Sequence, residues 1–439
     1  MPHQILFEGD NLTRSQGTGI TTYARNLNEA VRSSGYATDV LVNVRTPLDR
    51  RDPTLNEISF FDAIPARPTL SQHLRVARSY MLGSPWGIKA VELKRDGVVL
   101  DSAPSAVTGF DRLYGAVSFS DEASNHFMRY GRRANLKIAN KPSLFHATHP
   151  IPLSLAGCPN IYTIHDLIPL RLPFATLDNK RHFLKMMRHL CKVADHIVTV
   201  SEHSRRDIME LFDVSEDRVT NTYQAVNIPQ RFLDASLEQV VSLITNAFEL
   251  DYEGYFLFVG AIEPKKNLSR LIDAYAASGT KRPLVIAGGI GWQHEKDIEK
   301  INSERFLRYQ FANNVLSPTR QIRHLSYVPF EQLVALIRGS RALLFPSLYE
   351  GFGLPVLEAM QLGAPVMTSN VASLPEVTGK AAVLVNPLDI SDMSRAIKML
   401  DNDDDLRKEL RASGLEHAQQ FSPKNYQERI SKLYQRILG

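Results

Sequence analysis

The densest chemical signal is the stretch Tyr349-Glu350-Gly351-Phe352-Gly353-Leu354-Pro355-Val356-Leu357-Glu358, which leaves an apolar strand and enters a helix. A carboxylate can accept two hydroxyl hydrogen bonds, so acids at 350 and 358 suit a ribose diol or a sugar ring. Gly351 and Gly353 let the backbone come close to a ligand, and Pro355 suits the first turn of a helix. The N–H groups of Phe352, Gly353 and Leu354 would then favour a phosphate. The plainer reading makes both acids surface groups, with Glu358 favoured near a helix start. It leaves the glycines and the proline unexplained.

Further residues offer related chemistry. Lys265 and Lys266 follow the strand Tyr255–Val259 and precede a helix, where two cations could offset charge developing on a departing diphosphate. A solvated lysine pair is the competing reading. His165 and Asp166 end the strand 160–164; a lone histidine there is more often structural. Gly17 and Gly19 open a helix after the first strand, a place for phosphate or acceptor. Thr22 stands where G-x-G-x-x-G would need its third glycine, which argues against a dinucleotide oxidoreductase. In Ser201-Glu202-His203-Ser204-Arg205-Arg206, either Ser204 or Arg205 could face a ligand, or Ser201 could simply cap a helix. Gly288-Gly289-Ile290-Gly291 reads as a strand-to-helix turn. His146 and His149 suggest a metal only weakly, because no third ligand stands at a recognisable spacing. No essential metal is expected.

These residues need elements that bring them together. The length of 439 residues points to two domains. Short apolar runs alternate with helical patterns, the mark of parallel sheets with helical crossovers. In the first half, strands are expected near 4–8, 38–44, 143–147, 160–164 and 196–200, with helices near 19–34 and 179–193. In the second half, strands are expected at 255–259, 283–287, 324–328, 342–345 and 365–368. Both halves read as doubly wound α/β sheets, so ligands are expected at the carboxyl ends of the strands, in a cleft between two domains. The expected domains are 1–225 and 235–420, with a linker in 221–236. Residues 47–142, rich in Pro and Arg, read as an elaboration of the first domain. The C-terminal stretch 421–439 carries an amphipathic helix with Ile430, Leu433, Tyr434 and Ile437 on one face.

Composition narrows the function. Lys and Arg number 51 against 47 Asp and Glu, a net +4 too small for a nucleic-acid binder. The excess lies in residues 1–230, with 27 basic groups against 23 acidic. Cys158 and Cys191 show no metal-ligand spacing and read as reduced thiols. The start shows no signal h-region, and no apolar run approaches the ~20 residues of a spanning helix. Arg129, Arg132, Arg133, Lys137 and Lys141, with Lys180, Arg181, Lys185, Arg188 and Lys192, could meet anionic lipid headgroups or be merely solvated. A cytoplasmic protein, with peripheral contact at the inner membrane face, is the expectation.

The glycine-centred string resembles the E-x7-E element of retaining glycosyltransferases of the GT-B fold, above all glycosyltransferase family 4. The other motifs resemble that family in the same order. The resemblance implies two Rossmann-like domains facing across a cleft, a nucleoside diphosphate sugar as donor and no cofactor. It implies that Glu358 holds the ribose, Lys265 and Lys266 the diphosphate, and Glu350 and His165 the donor sugar, with amides from Phe352 to Leu354 on sugar and phosphate. It implies acceptor binding by the first domain and a C-terminal helix crossing back to it. Where the family usually has Arg, this chain has Ala261, so Lys265 is the candidate second cation. Thr163-Ile164-His165-Asp166-Leu167-Ile168-Pro169 and Ile262-Glu263-Pro264-Lys265-Lys266-Asn267 are similar to mannosyltransferase-like enzymes of bacterial surface polysaccharide assembly. That implies GDP-mannose first and a glycan or lipid-linked glycan acceptor. The alternatives are a sugar-nucleotide epimerase of the same fold, a non-catalytic nucleotide-sugar binder and a nicotinamide oxidoreductase.

Overall fold

The computed structural model describes residues 3–13, 19–44, 52–62, 77–78, 81–94, 99, 107–312 and 315–439. The chain divides into two units. One comprises Met1–Leu167, Asn179–Ala225 and Pro423–Gly439; the other comprises Ile168–Asp178 and Val226–Ser422.

The first unit carries strands β1 (Gln4–Glu8), β2 (Ala37–Val44), β3 (Ile88–Lys89), β4 (Val91–Leu93), β5 (Arg112–Val117), β6 (Ala134–Lys137), β7 (Leu144–Ala147), β8 (Leu153–Leu155), β9 (Asn160–Ile164), β10 (His196–Thr199) and β11 (Val219–Asn221). Eight of them form one sheet in the order β11-β10-β9-β7-β1-β2-β5-β4, and β3, β6 and β8 form a small second sheet. The large sheet is parallel except at its edge, where β4 runs against β5. Its central strands β1, β7 and β9 are buried along nearly their whole length, as expected of a parallel sheet covered on both faces. From β1 the order runs outward to β2 and β5, then resumes on the other side of β1 with β7. The order therefore reverses between β1 and β7, which pair with Glu8 opposite Ala147.

Two expectations need correction here. Residues 47–142 are not only an elaboration, since β5 is an integral strand bonded along β2. Its Leu113-Tyr114-Gly115-Ala116 run is short and sits among polar residues, so its period is hard to detect. Residues 226–234, expected as linker, belong to the second unit and contain the helical turn Gln230–Leu233.

The second unit carries β12 (Phe256–Val259), β13 (Leu284–Ala287), β14 (Leu307–Ala312), β15 (Val315–Arg320), β16 (Ile322–Leu325), β17 (Ala342–Phe345), β18 (Val366–Ser369) and β19 (Val383–Val385). Six make a parallel sheet in the order β16-β13-β12-β17-β18-β19, while β14 and β15 form a separate hairpin. Here too the order reverses beside the first strand, between β12 and β17. Phe256, Phe258, Leu284, Ile286 and Leu344 fill its core with the helices Leu268–Ser278 and Ile390–Asn402. The strand expected at 324–328 lies two residues earlier, anchored by buried Ile322. Ile168–Asp178, expected in the first domain, groups with the second unit, where the Trp292 indole donates to the Ala175 carbonyl at 3.0 Å.

Candidate active site

In the second unit, loops leaving β12 and β17 meet at the reversal of strand order. Asn267, in a left-handed conformation (φ 61°), donates its side-chain amide to the carbonyls of Pro346 at 3.0 Å and Pro387 at 2.7 Å. The amide of Leu348 donates to the Lys265 carbonyl at 2.8 Å. A side chain at Gly288 would bring its Cβ to 2.0 Å from the Gly260 carbonyl oxygen, so only glycine allows the loops after β12 and β13 to lie so close. That supports the turn reading of Gly288-Gly289.

The stitching sets Lys266 Nζ 2.6 Å from Glu350 Oε1, an oxygen that also accepts from Ser347 Oγ at 2.8 Å. Lys265 Nζ lies 3.8 Å from Glu350 Oε2 and 3.4 Å from Glu263 Oε1. Lys266 also sits over the Phe345 ring, 4.6 Å from its centroid. Both Lys266 and Glu350 are buried. Burial pushes the Glu350 carboxyl up, but Lys266 and Lys265 outweigh it and hold the carboxyl below its usual range. Burial lowers the Lys266 ammonium, and Glu350 only partly restores it. Burial dominates at Glu263 as well and raises its carboxyl.

Beyond this pair, Gly353 adopts φ 106° and starts the helix Leu354–Gln361. The Ser373 hydroxyl lies 2.9 Å from the Glu350 carbonyl and 2.8 Å from that of Phe352, and Phe352 packs edge-on against Phe421 at 5.5 Å. The loop is therefore fixed from behind. Leu354 is the first helical residue, where N–H groups have no partner within the helix. One turn on, Glu358 is half-buried with its carboxyl unpartnered among the described residues, and burial pushes it up to about 7. A helix start, two lysines and an unpaired carboxyl can together hold an anion and a diol.

In the first unit, His165 Nε2 donates to the Thr148 carbonyl at 2.8 Å, and the Tyr23 ring meets its imidazole edge-on at 4.7 Å. Burial lowers His165 to about 4, so the ring is neutral near pH 7. Ser204 is brought to it but is wholly buried, donating its hydroxyl to the His165 carbonyl at 2.8 Å, while Ser201 caps the helix Glu202–Phe212. Arg205 is a correction: it pairs with Glu216 at 2.7 Å and Glu202 at 3.3 Å, and its Nε donates to the Val219 carbonyl. Its charge is paired with two surface acids rather than held open for a ligand. Gly19 begins the helix Gly19–Ser33, and Gly17 lies outside the described residues. His146 is committed on both nitrogens, to the Tyr434 hydroxyl at 2.7 Å and to Thr163 Oγ1 at 2.8 Å. Sequence reasoning missed Glu8, whose carboxylate is wholly buried and 2.7 Å from His149 Nδ1. The signal was an acid closing the otherwise apolar strand Ile5-Leu6-Phe7.

Comparison with known proteins bears on both units. Residues 17–228 match the family model described as Glycosyltransferase Family 4, and residues 247–417 match that of Glycosyl transferases group 1. The chain is 34% identical over 270 residues to O-antigen chain mannosyltransferase B of Escherichia coli, which covers 60% of this chain and 67% of that protein. It is 28% identical over 426 residues to the serotype-specific mannosyltransferase WbdA of Escherichia coli, covering 93% of this chain and 45% of that protein. The chain thus spans less than half the length of WbdA. Among solved structures, Anabaena Alr3699/HepE in complex with UDP and glucose superposes with a TM-score of 0.64 at 13% identity, over 99% of this chain and all of that one. That likeness is one of fold.

Proposed function

This chain belongs to glycosyltransferase family 4, with two Rossmann-like units of the GT-B class, and from that premise we propose that it moves a hexosyl unit from a nucleoside diphosphate sugar to a hydroxyl of a glycan or lipid-linked glycan acceptor. The mannosyl unit comes first among sugars and GDP-mannose first among donors, on the strength of the mannosyltransferases it resembles. The observation that carries the reading is the Glu358 carboxyl, unpartnered among the described residues and one turn into the helix that follows the loop of the buried Lys266–Glu350 pair, at a switch point of the second sheet.

In this reading Glu358 accepts the two ribose hydroxyls. Lys266 and Lys265 face the diphosphate, and the amides from Phe352 to Leu354 bind phosphate and sugar. Glu350 keeps Lys266 ionised despite its burial, and with His165 it contacts the donor sugar. As the bond between the anomeric carbon and the phosphate oxygen breaks, negative charge grows on the leaving diphosphate, where the lysines stabilise it. The acceptor oxygen bonds to the same face of the anomeric carbon, and its proton passes to the leaving phosphate oxygen. Configuration is retained without a protein nucleophile. We further propose that exposed cations of the first unit hold the enzyme against anionic lipid on the cytoplasmic side.

Thermal unfolding with millimolar GDP, UDP, ADP, GDP-mannose, UDP-glucose and NADH tests the donor. A ligand at ~100 times its dissociation constant adds about 2.7 kcal/mol of stability. The expected result is a rise with guanine nucleotides that disappears in Glu358→Ala. A rise with NADH alone would sink the reading.

A further inference from the structure

The second unit has a cavity at the end of its sheet opposite the loops that carry Lys266 and Glu350. It lies ahead of the strands rather than beyond them, lined by Gly254 before β12, Pro283 before β13 and Gln321 before β16, and its volume is about 1440 Å³. Strands of four residues, rising about 3.3 Å each, keep it apart from those loops.

The lining is cationic. Lys281, Arg305, Arg308, Arg320 and Arg323 face two acids, Glu249 and Asp251. The cations come from separate elements: Lys281 follows the helix Leu268–Ser278, Arg308 and Arg320 stand at the base of the β14–β15 hairpin, and Arg323 is on β16. Elsewhere at this end of the unit, charge is matched. Arg282 pairs with Asp401 at 2.9 Å, and Arg305 with Asp273 at 3.1 Å. Lys281, Arg308, Arg320 and Arg323 form no ion pair among the described residues. Each of these arginines donates instead to one backbone carbonyl, Arg308 to Arg305 at 3.4 Å, Arg320 to Asn302 at 3.3 Å and Arg323 to Glu249 at 3.5 Å. One such bond orients a guanidinium and leaves the rest of its N–H fork for an oxyanion. Unmatched like charges around one cavity repel each other, while their summed field draws anions in. A single phosphate would fill little of this volume. Cations on several elements are engaged together only by a ligand whose phosphates are spaced along it.

We propose that this cavity is a second binding site, separate from the donor site, for a free small molecule carrying two or more phosphate groups. The arginine forks take phosphate oxygens in bidentate pairs, and Lys281 adds a point charge. The site goes beyond the transferase reading and does not depend on it.

The test is isothermal titration calorimetry of the full chain with sodium tripolyphosphate and, separately, inorganic phosphate. Wild type is compared with the triple variant Arg308→Gln, Arg320→Gln, Arg323→Gln, and with a control in which Arg181, Lys185, Arg188 and Lys192 are all glutamine. Tripolyphosphate should bind wild type and the control alike, and at least tenfold more weakly in the triple variant; any smaller loss overturns the site. An equal loss in the control overturns it too, since the attraction would then be to net charge. So does inorganic phosphate binding as tightly as tripolyphosphate. If Arg323→Gln costs the fold, the double variant Arg308→Gln, Arg320→Gln carries the test. Co-sedimentation with phosphatidylglycerol vesicles should be the same in wild type and the triple variant; its loss in the triple variant would give the cavity to lipid headgroups and overturn the free ligand. GDP stabilisation should be equal in both, and its absence from both would count against the transferase reading alone.

Discussion

Glu358 pits binding against stability in a single side chain. Burial pushes its carboxyl up to about 7 from an ordinary value near 4.5. Below about pH 4.5 the group is protonated in folded and unfolded chains alike, and there is no penalty. Between 4.5 and 7 the unfolded chain ionises first, so stability is progressively lost, and above 7 the full cost persists. Glu358→Gln removes that cost. Its melting temperature should match wild type near pH 4.5 and exceed it at pH 8, by an amount equivalent to about 1–3 kcal/mol, while stabilisation by GDP disappears. Equal melting profiles at both pH values would contradict the assignment. The acids and glycines of this loop were legible because they lie within one short string. Neither the Lys266–Glu350 pair nor the Glu8–His149 pair was, since each joins loops that only the strand order brings together.

The C-terminal helix Pro423–Leu438 buries Tyr426, Ile430, Leu433 and Tyr434 in the first unit, against the helix Gly19–Ser33. Its amphipathic spacing was readable; the polar connection beneath it was not. Burial lowers His146 to about 3, so the ring is neutral and has one N–H. Among the described residues the Tyr434 hydroxyl has no other acceptor, so it donates to Nδ1, and Nε2–H then donates to Thr163 Oγ1. Thr163 in turn bonds the Tyr23 hydroxyl at 2.7 Å, and the Tyr23 ring packs on His165. Tyr434→Phe leaves Nδ1 without a donor and should cost about 1–3 kcal/mol, seen in urea unfolding. An unchanged midpoint would refute the network. The strands read best from sequence were continuous apolar runs such as Phe256–Val259 and Ala342–Phe345. Weak ones such as β11 and β19 are three residues long, and pairing with a neighbour, not their own pattern, makes them strands.

Charge acts over longer distances. Arg181, Lys185, Arg188 and Lys192 stand exposed on the helix Lys180–Val193, while Met186, Met187 and Leu190 face the core. Among the described residues no helix is long and apolar enough to cross a membrane. The lipid contact we propose is carried by these cations. At about 1 kcal/mol per cation, these four should drive co-sedimentation with phosphatidylglycerol vesicles that fades at high salt. Replacing all four with glutamine should abolish it. Equal binding to neutral phosphatidylcholine vesicles would rule it out. Assembly of the chain has its own order in time. The first unit is built from segments on either side of the second in sequence, with His146 waiting for a helix made only after residue 422. The second unit's Val226–Ser422 has emerged in full by then. The unit begun first is therefore completed after its neighbour, and until then the apolar face that Tyr426, Ile430, Leu433 and Tyr434 cover stays open to solvent.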